Sequence, residues 1–213
     1  MAYMRIRDMI ALHHSQYLKE DSYPADKVAA IVKTTDEWGI LGNFFKNPAK
    51  GGKRTPIVVI DGMEFDCTER LFQLMKIKDK ECLQLINEKP CGICFKRQMA
   101  KILQEHNQEW RSDWKDMMMD AMKFCLQKKY EQCQEFRNEL NRSKGLYIVE
   151  DETKHLRGKE PLWGTKLEGD VFVGPNVLGK LLMELRDNGK LEYKLPEDAL
   201  EFIPIIKDSQ NYH

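Results

Sequence analysis

The chain has 213 residues, 42% hydrophobic and 32% charged, and its 34 basic side chains balance 34 acidic ones to a net charge of zero. That length suits one domain with a sizeable core, and that balance excludes a strong nonspecific grip on nucleic acid while leaving room for a local basic patch. No apolar run reaches the length of a membrane span, the short apolar stretch beside the first two arginines predicts no secretory signal, and six cysteines in a chain with its own core predict free thiols in a reducing cytosol rather than a disulfide framework.

Residues 1–35 read as two short helices, split near Tyr23-Pro24. A loop with Gly, Pro and Lys punctuation follows, around residues 48–55. Asp61-Gly62 then sits between Val58-Val59-Ile60 and Met63-Glu64-Phe65, and that dipeptide closes a two-residue hairpin because both positions tolerate positive φ. Thr68 is a candidate cap for the next helix, which is apolar at Leu71, Phe72, Leu74, Met75 and Ile77. Pro90 marks a further helix running through Ile102-Leu103, and long helices are expected over residues 110–130 and 132–141. Residues 146–149 and 171–173 are strand candidates. A helix over 175–188 follows, with Leu178, Leu181, Leu182 and Leu185 on one face and Asn188-Gly189 as its stop. The last two dozen residues, with Pro196 and Pro204, read as an irregular arm. The fold class expected is α+β: a predominantly helical single domain with a small β-hairpin or sheet. Its parts would be an N-terminal helical extension (residues 1–35), a main domain (36–189) and a C-terminal arm (190–213).

Several constellations admit a functional and an ordinary reading. Glu69, Gln73, Lys76 and Lys80 fall on one narrow stripe of an otherwise apolar helix. Such a stripe is either a solvated strip decorated with charge or the wall of a polar cavity. Cys91-Gly92-Ile93-Cys94 has redox spacing at a helix start, but a polar segment precedes it where a thioredoxin-like site needs a buried strand, so it reads as inert. Met117, Met118, Met119 and Met122 share a helix with Trp110 and Trp114 and read as core filling. The five histidines show neither metal-ligand nor triad spacing, and no metal is expected. Gly174-Pro175-Asn176 opens a helix whose first amides are predicted to be free for an anion, with Asn176 beside them; the alternative is a plain helix start. Glu160 and Trp163-Gly164 lie just upstream, an acid and a flat aromatic on an irregular segment.

Taken in order, these pieces resemble the NADAR superfamily of YbiA-like domains over roughly residues 36–188. Gly42-Asn43-Phe44 is similar to the family's Ser-Asn-Phe. The run from Cys67 to Lys76 is similar to its Ser-Glu-His-x-x-Gln-x-x-Lys helix. Trp114, residues 129–132, Val149-Glu150, Trp163-Gly164 and the run from Gly174 through Asn176, Gly179 and Leu182 to Arg186 continue the match. Gly42 replaces the usual serine, Arg70 the usual histidine, and Glu160 an aspartate.

The resemblance implies a cytoplasmic hydrolase of ribosyl N-glycosidic bonds that needs no cofactor. Its first expected substrate is ADP-ribose joined to guanine, either free or in a short single strand of DNA, and a DNA ADP-ribosyltransferase toxin encoded beside it would indicate an antitoxin role. Its second is a phosphorylated ribosylaminopyrimidine of riboflavin biosynthesis. A third reading is a non-catalytic ADP-ribose binding module. Glu69 would stabilise the cationic anomeric carbon or activate water, with Glu160 as second choice, and Lys76 would either attack the sugar or hold a phosphate. Asn43, Gln73 and Asn176 would position ribose hydroxyls. Phe44 or Trp163 would stack on a base. Trp114, Gly164, Gly174 and Arg186 complete the expected substrate site.

Overall fold

The computed structural model describes residues 12–210 apart from residues 93, 157 and 158. In chain order its strands are β1 (Asp21–Pro24), β2 (Val28–Ile31), β3 (Val58–Ile60), β4 (Met63–Phe65), β5 (Tyr147–Glu150), β6 (Lys166–Glu168) and β7 (Val171–Gly174). Its helices are α1 (Thr68–Leu74), α2 (Lys80–Asn87), α3 (Phe95–Glu105), α4 (Trp114–Gln132), α5 (Gln134–Arg142), α6 (Val177–Asn188) and α7 (Phe202–Gln210). The fold is α+β and mostly helical. The chain divides into two compact units, neither of them continuous: residues 1–45 with 133–192, and residues 46–132 with 193–213.

The unit of residues 46–132 and 193–213 begins with the β3–β4 hairpin. Asp61 (φ 48°) and Gly62 (φ 76°) form its turn, and Val58 pairs with Phe65, Ile60 with Met63. The twist of such a turn matches the right-handed twist of the strands it joins. Helix α1 follows at once and packs on α4. Thr68 is its first residue rather than its cap; Cys67 holds the cap position with extended backbone. The helix ends at Leu74. Its last turn tightens, with the N–H of Lys76 on the Gln73 carbonyl (3.2 Å) and that of Ile77 on the Leu74 carbonyl (3.1 Å). Lys80 therefore does not extend the stripe. It opens a separate helix, α2, and is exposed there; Asp79 caps that helix by accepting from the Cys82 N–H at 2.8 Å. Helix α4 starts four residues later than the sequence suggests and is buried around most of its circumference.

The C-terminal arm is not irregular. It folds into a 3-10 turn over Glu197–Leu200 and then α7, which packs on α2. Pro204 falls in the first turn of α7, where its missing N–H leaves no internal bond unmade.

In the other unit, β1, β7 and β6 form an antiparallel sheet, and β2 pairs in parallel with β5. The expected second helix of residues 1–35 is thus replaced by two strands. Their register is set by partners far along the chain, Tyr23 opposite Phe172 and Ala29 opposite Ile148. Tyr23, Val149 and Phe172 pack together as a small core. Residues 1–11, part of the first expected helix, and His213 lie outside the described residues.

Candidate active site

Within α1, the face carrying Glu69 and Gln73 is buried rather than wet. Glu69 is 4% exposed and Gln73 1%. Gln73 Nε2 donates to Glu69 Oε1 at 2.8 Å, and Lys96 Nζ of α3 reaches the same oxygen at 3.0 Å. A buried carboxylate is costly unless paired and hydrogen-bonded, and here it has both. Gln73 Oε1 is buried with no hydrogen-bond partner. Such an orphaned acceptor is a place for a hydroxyl donor from outside the chain.

Lys76 stands seven residues after Glu69, just past the helix end, and is buried as well. Its Nζ lies 4.5 Å from the Trp110 ring centroid and 5.2 Å from those of Phe72 and Trp114. Phe72 and Trp114 meet edge to face at 5.2 Å. Burial brings the Lys76 amine down to about 7; the charge of Glu69 acts against that fall and the charge of Lys96 adds to it. Ring faces attract the ammonium, which offsets part of the cost of burying it. The amine therefore exchanges its proton near neutral pH, as a nucleophile or general base must. Trp114 Nε1 is also buried without a partner.

Arg70, where the family has histidine, turns to other work. It pairs with Asp66 at 3.0 Å and donates to the carbonyls of Asn87 (2.8 Å) and Lys89 (2.9 Å) at the end of α2. Sequence reasoning missed Lys96 altogether and placed Trp110 on the long helix, whereas it lies on the segment before α4. It also missed Asp120, Lys123 and Gln127, buried on α4 at spacings of three and four, although that polar spacing inside a methionine-rich helix was a readable signal.

The remaining expected residues belong to the other unit. Asn43 is buried and Phe44 half-buried, directly after a 3-10 turn over Gly39–Leu41. Glu160 is exposed, 3.6 Å from Lys166 Nζ. Trp163 is half-buried. Gly164 runs so close to β5 that a Cβ there would fall 2.1 Å from the Glu150 carbonyl oxygen. Gly174, at φ +150°, ends β7 in a region closed to other residues.

The anion site expected at the start of the 175–188 helix is not there. The amides of Asn176, Val177 and Leu178 donate to the carbonyls of Gly164 (3.0 Å), Leu162 (3.3 Å) and Trp163 (2.8 Å). Asn176 itself is the left-handed cap of α6, wholly buried. Its Nδ2 donates to the Ile148 carbonyl at 2.8 Å and its Oδ1 accepts from the Glu150 N–H at 3.3 Å. Arg186 is likewise occupied, on the carbonyls of Ser143 (3.1 Å) and Leu146 (2.8 Å). These residues build the unit's frame, and no donor of theirs is left for a phosphate at that helix start.

The cysteine pair of the CxxC is split between environments, Cys91 buried and Cys94 exposed. Cys91 Sγ lies 3.1 Å from Cys67 Sγ; that contact, with burial, pushes the Cys91 thiol far above its usual range. Among the described residues no His, Cys, Asp and Glu side chains group as a metal set, and no helix is long and apolar enough to cross a membrane.

A buried acid on α1 and an aromatic-caged amine just past the end of that helix make up the candidate active site. The chain belongs to the NADAR domain family, whose pattern it matches over residues 31–188. Its fold is similar to that of the Escherichia coli protein YbiA, solved by NMR, with a TM-score of 0.58 and 26% identity over 81% of this chain and 92% of that one. It is also 25% identical, over 169 residues, to a riboflavin biosynthesis protein of Vibrio vulnificus (strain YJ016). That match takes in 79% of this chain but only 40% of that relative's length.

Proposed function

We propose that this protein is an N-glycosidase that hydrolyses a ribosyl N-glycosidic bond, and that its substrate is ADP-ribose joined to guanine. The observation that carries the reading is the Lys76 amine, held in an aromatic cage at about 7 within the field of the Glu69 carboxylate. A module that only bound phosphate would gain from a firmly charged ammonium and would not need one tuned to neutrality.

Cleaving a ribosyl C–N bond puts positive charge on the anomeric carbon. Glu69 supplies a fixed negative charge for that moment, oriented by Gln73 and Lys96. The neutral Lys76 amine attacks the anomeric carbon as the base departs with the bonding electron pair and takes up a proton. Ring opening gives an imine, and water releases the sugar as its aldehyde while the amine is regenerated. The orphaned Gln73 oxygen receives a ribose hydroxyl.

The match to a riboflavin biosynthesis protein favours a second substrate, a phosphorylated ribosylaminopyrimidine, for the same chemistry. One experiment separates the readings: turnover of an oligonucleotide carrying ADP-ribosylated guanine, beside turnover of the pyrimidine, with calorimetric binding of ADP-ribose, for wild type and Glu69→Gln. Glutamine keeps the shape and removes the charge, so the loss falls on the transition state. Turnover of the guanine adduct should drop about a hundredfold or more with binding retained. Full activity in Glu69→Gln overturns the mechanism, and activity on the pyrimidine alone overturns the choice of substrate. Binding without turnover of either in wild type leaves a binding module.

A further inference from the structure

Trp110 is the wall of the cage nearest the Lys76 amine, yet it lies on an irregular segment and is 41% exposed. Its own burial does not hold it in place. Its neighbour does. The Arg111 N–H donates to the Lys76 carbonyl at 2.8 Å, and the Arg111 carbonyl accepts from the Trp114 N–H at 3.1 Å. One residue thus ties the backbone that carries the amine to the two tryptophans that flank it.

The Arg111 guanidinium is itself buried and clamped. Its Nε and Nη2 reach the two oxygens of Asp113 at 2.6 and 2.7 Å, and Nη2 also reaches Asp198 Oδ1 at 2.6 Å. The other oxygen of Asp198 receives Lys78 Nζ at 2.6 Å. Lys78 is two residues beyond Lys76. Asp198 therefore grips the chain on both sides of the cage, the segment leaving Lys76 and the segment entering α4. It lies past residue 188, outside the stretch that matches the family. Helix α7 anchors it, with Phe202 edge to face on Phe65 at 6.3 Å.

We propose that Asp198 is a positioning residue for the Lys76 amine: by holding Lys78 and Arg111 together it fixes Trp110 over the amine and keeps water away from it. This rests on the reading of Lys76 as the reacting group. Lys78 and Arg111 hold the Asp198 carboxyl down at about 2, so the clamp stays ionised through any working pH and is not itself a switch. The charges acting on the amine are those of Glu69 on α1 and Lys96 on α3. Asp198 works through geometry. Without it, Lys78 loses its carboxylate, Arg111 keeps only Asp113, and water reaches the amine.

The test reads the protonation of Lys76 without turnover. The pH dependence of acylation by acetic anhydride, measured at the Lys76 peptide by mass spectrometry, gives its midpoint in wild type, Asp198→Asn, Asp198→Ala, Asp198→Glu and Trp110→Ala. Asp198→Asn, Asp198→Ala and Trp110→Ala should each raise the midpoint by about one pH unit or more, and the first such unit lowers the neutral amine at about pH 7 about fivefold. Asp198→Glu should bring it back toward wild type. An unmoved midpoint in folded Asp198→Asn overturns the proposal. Should the Asp198 variants not fold, Trp110→Ala decides, because it opens the cage without touching the clamp, and an unmoved midpoint there overturns it equally. The reading of Lys76 fails by a different result, full turnover in Lys76→Ala, which leaves the acylation midpoints untouched.

Discussion

The amine of Lys76 sits 4.5 Å from the ring centroid of Trp110, and the two residues come from segments 34 positions apart. This contact, with Phe72 and Trp114 behind it, turns a lysine at a helix end into a group poised near neutrality. Two consequences concern rate and stability.

If the neutral amine attacks the sugar, turnover rises with pH through about 7, where the buried Lys76 amine loses its proton. Borohydride should trap a sugar adduct on wild type and none on Lys76→Ala. A rate that falls as pH rises through that value, with no adduct trapped, assigns the ammonium to holding phosphate instead.

Lys76 also costs stability. Between about 7 and 10.5 the unfolded chain holds a proton that the folded chain has shed. Unfolding therefore takes up a proton in that window, and stability rises with pH across it. Below about 7 the folded state bears the full cost of burying the cation. Lys76→Met removes that cost and should be more stable than wild type by on the order of a few kcal/mol at about pH 6, with the gap closing toward pH 10. Thermal unfolding across pH checks this, and a Tm below wild type at the acid end counts against it.

Asn176→Asp isolates the frame of the other unit. Aspartate tolerates the left-handed backbone as asparagine does, so strain is unchanged. It cannot donate to the Ile148 carbonyl, which Nδ2 now meets at 2.8 Å, and it sets a buried charge against that oxygen. The expected loss is about 2–4 kcal/mol, seen as a lower midpoint in denaturant with an unchanged slope. A variant as stable as wild type would show that this bond contributes nothing.

The thiols should be spectators. Cys91 is buried against Cys67 and stays protonated, and Cys94 is exposed, 3.4 Å from Arg97. Replacing both Cys91 and Cys94 with serine should leave turnover within a few-fold of wild type. Inactivation of wild type under mild oxidation that the double variant escapes would reveal a redox role.

What could be read without coordinates was what is local. The Asp61-Gly62 hairpin forms because two adjacent residues accept positive φ, and the helical spacing of Glu69, Gln73 and Lys76 put acid, amide and amine on one face. The same reasoning failed wherever the partner lay far along the chain. Residues 21–24 and 28–31 became strands because β7 and β5 pair with them, some 120 to 150 positions away, and ladder hydrogen bonds outweigh weak local propensity. The start of α6 looked like an anion site, but its amides are filled by carbonyls twelve to fifteen residues upstream. Periodicity also could not say whether the polar stripe faced water or protein, because both produce the same spacing. Burial by α4 and the tryptophans decided that, and burial is a property of what lies against a face. Spacing along one helix brought Glu69 and Lys76 together, whereas the desolvation that tunes the amine came from Trp110 and Trp114, held by Arg111 and Asp198, and it exists only once the folded chain has excluded water.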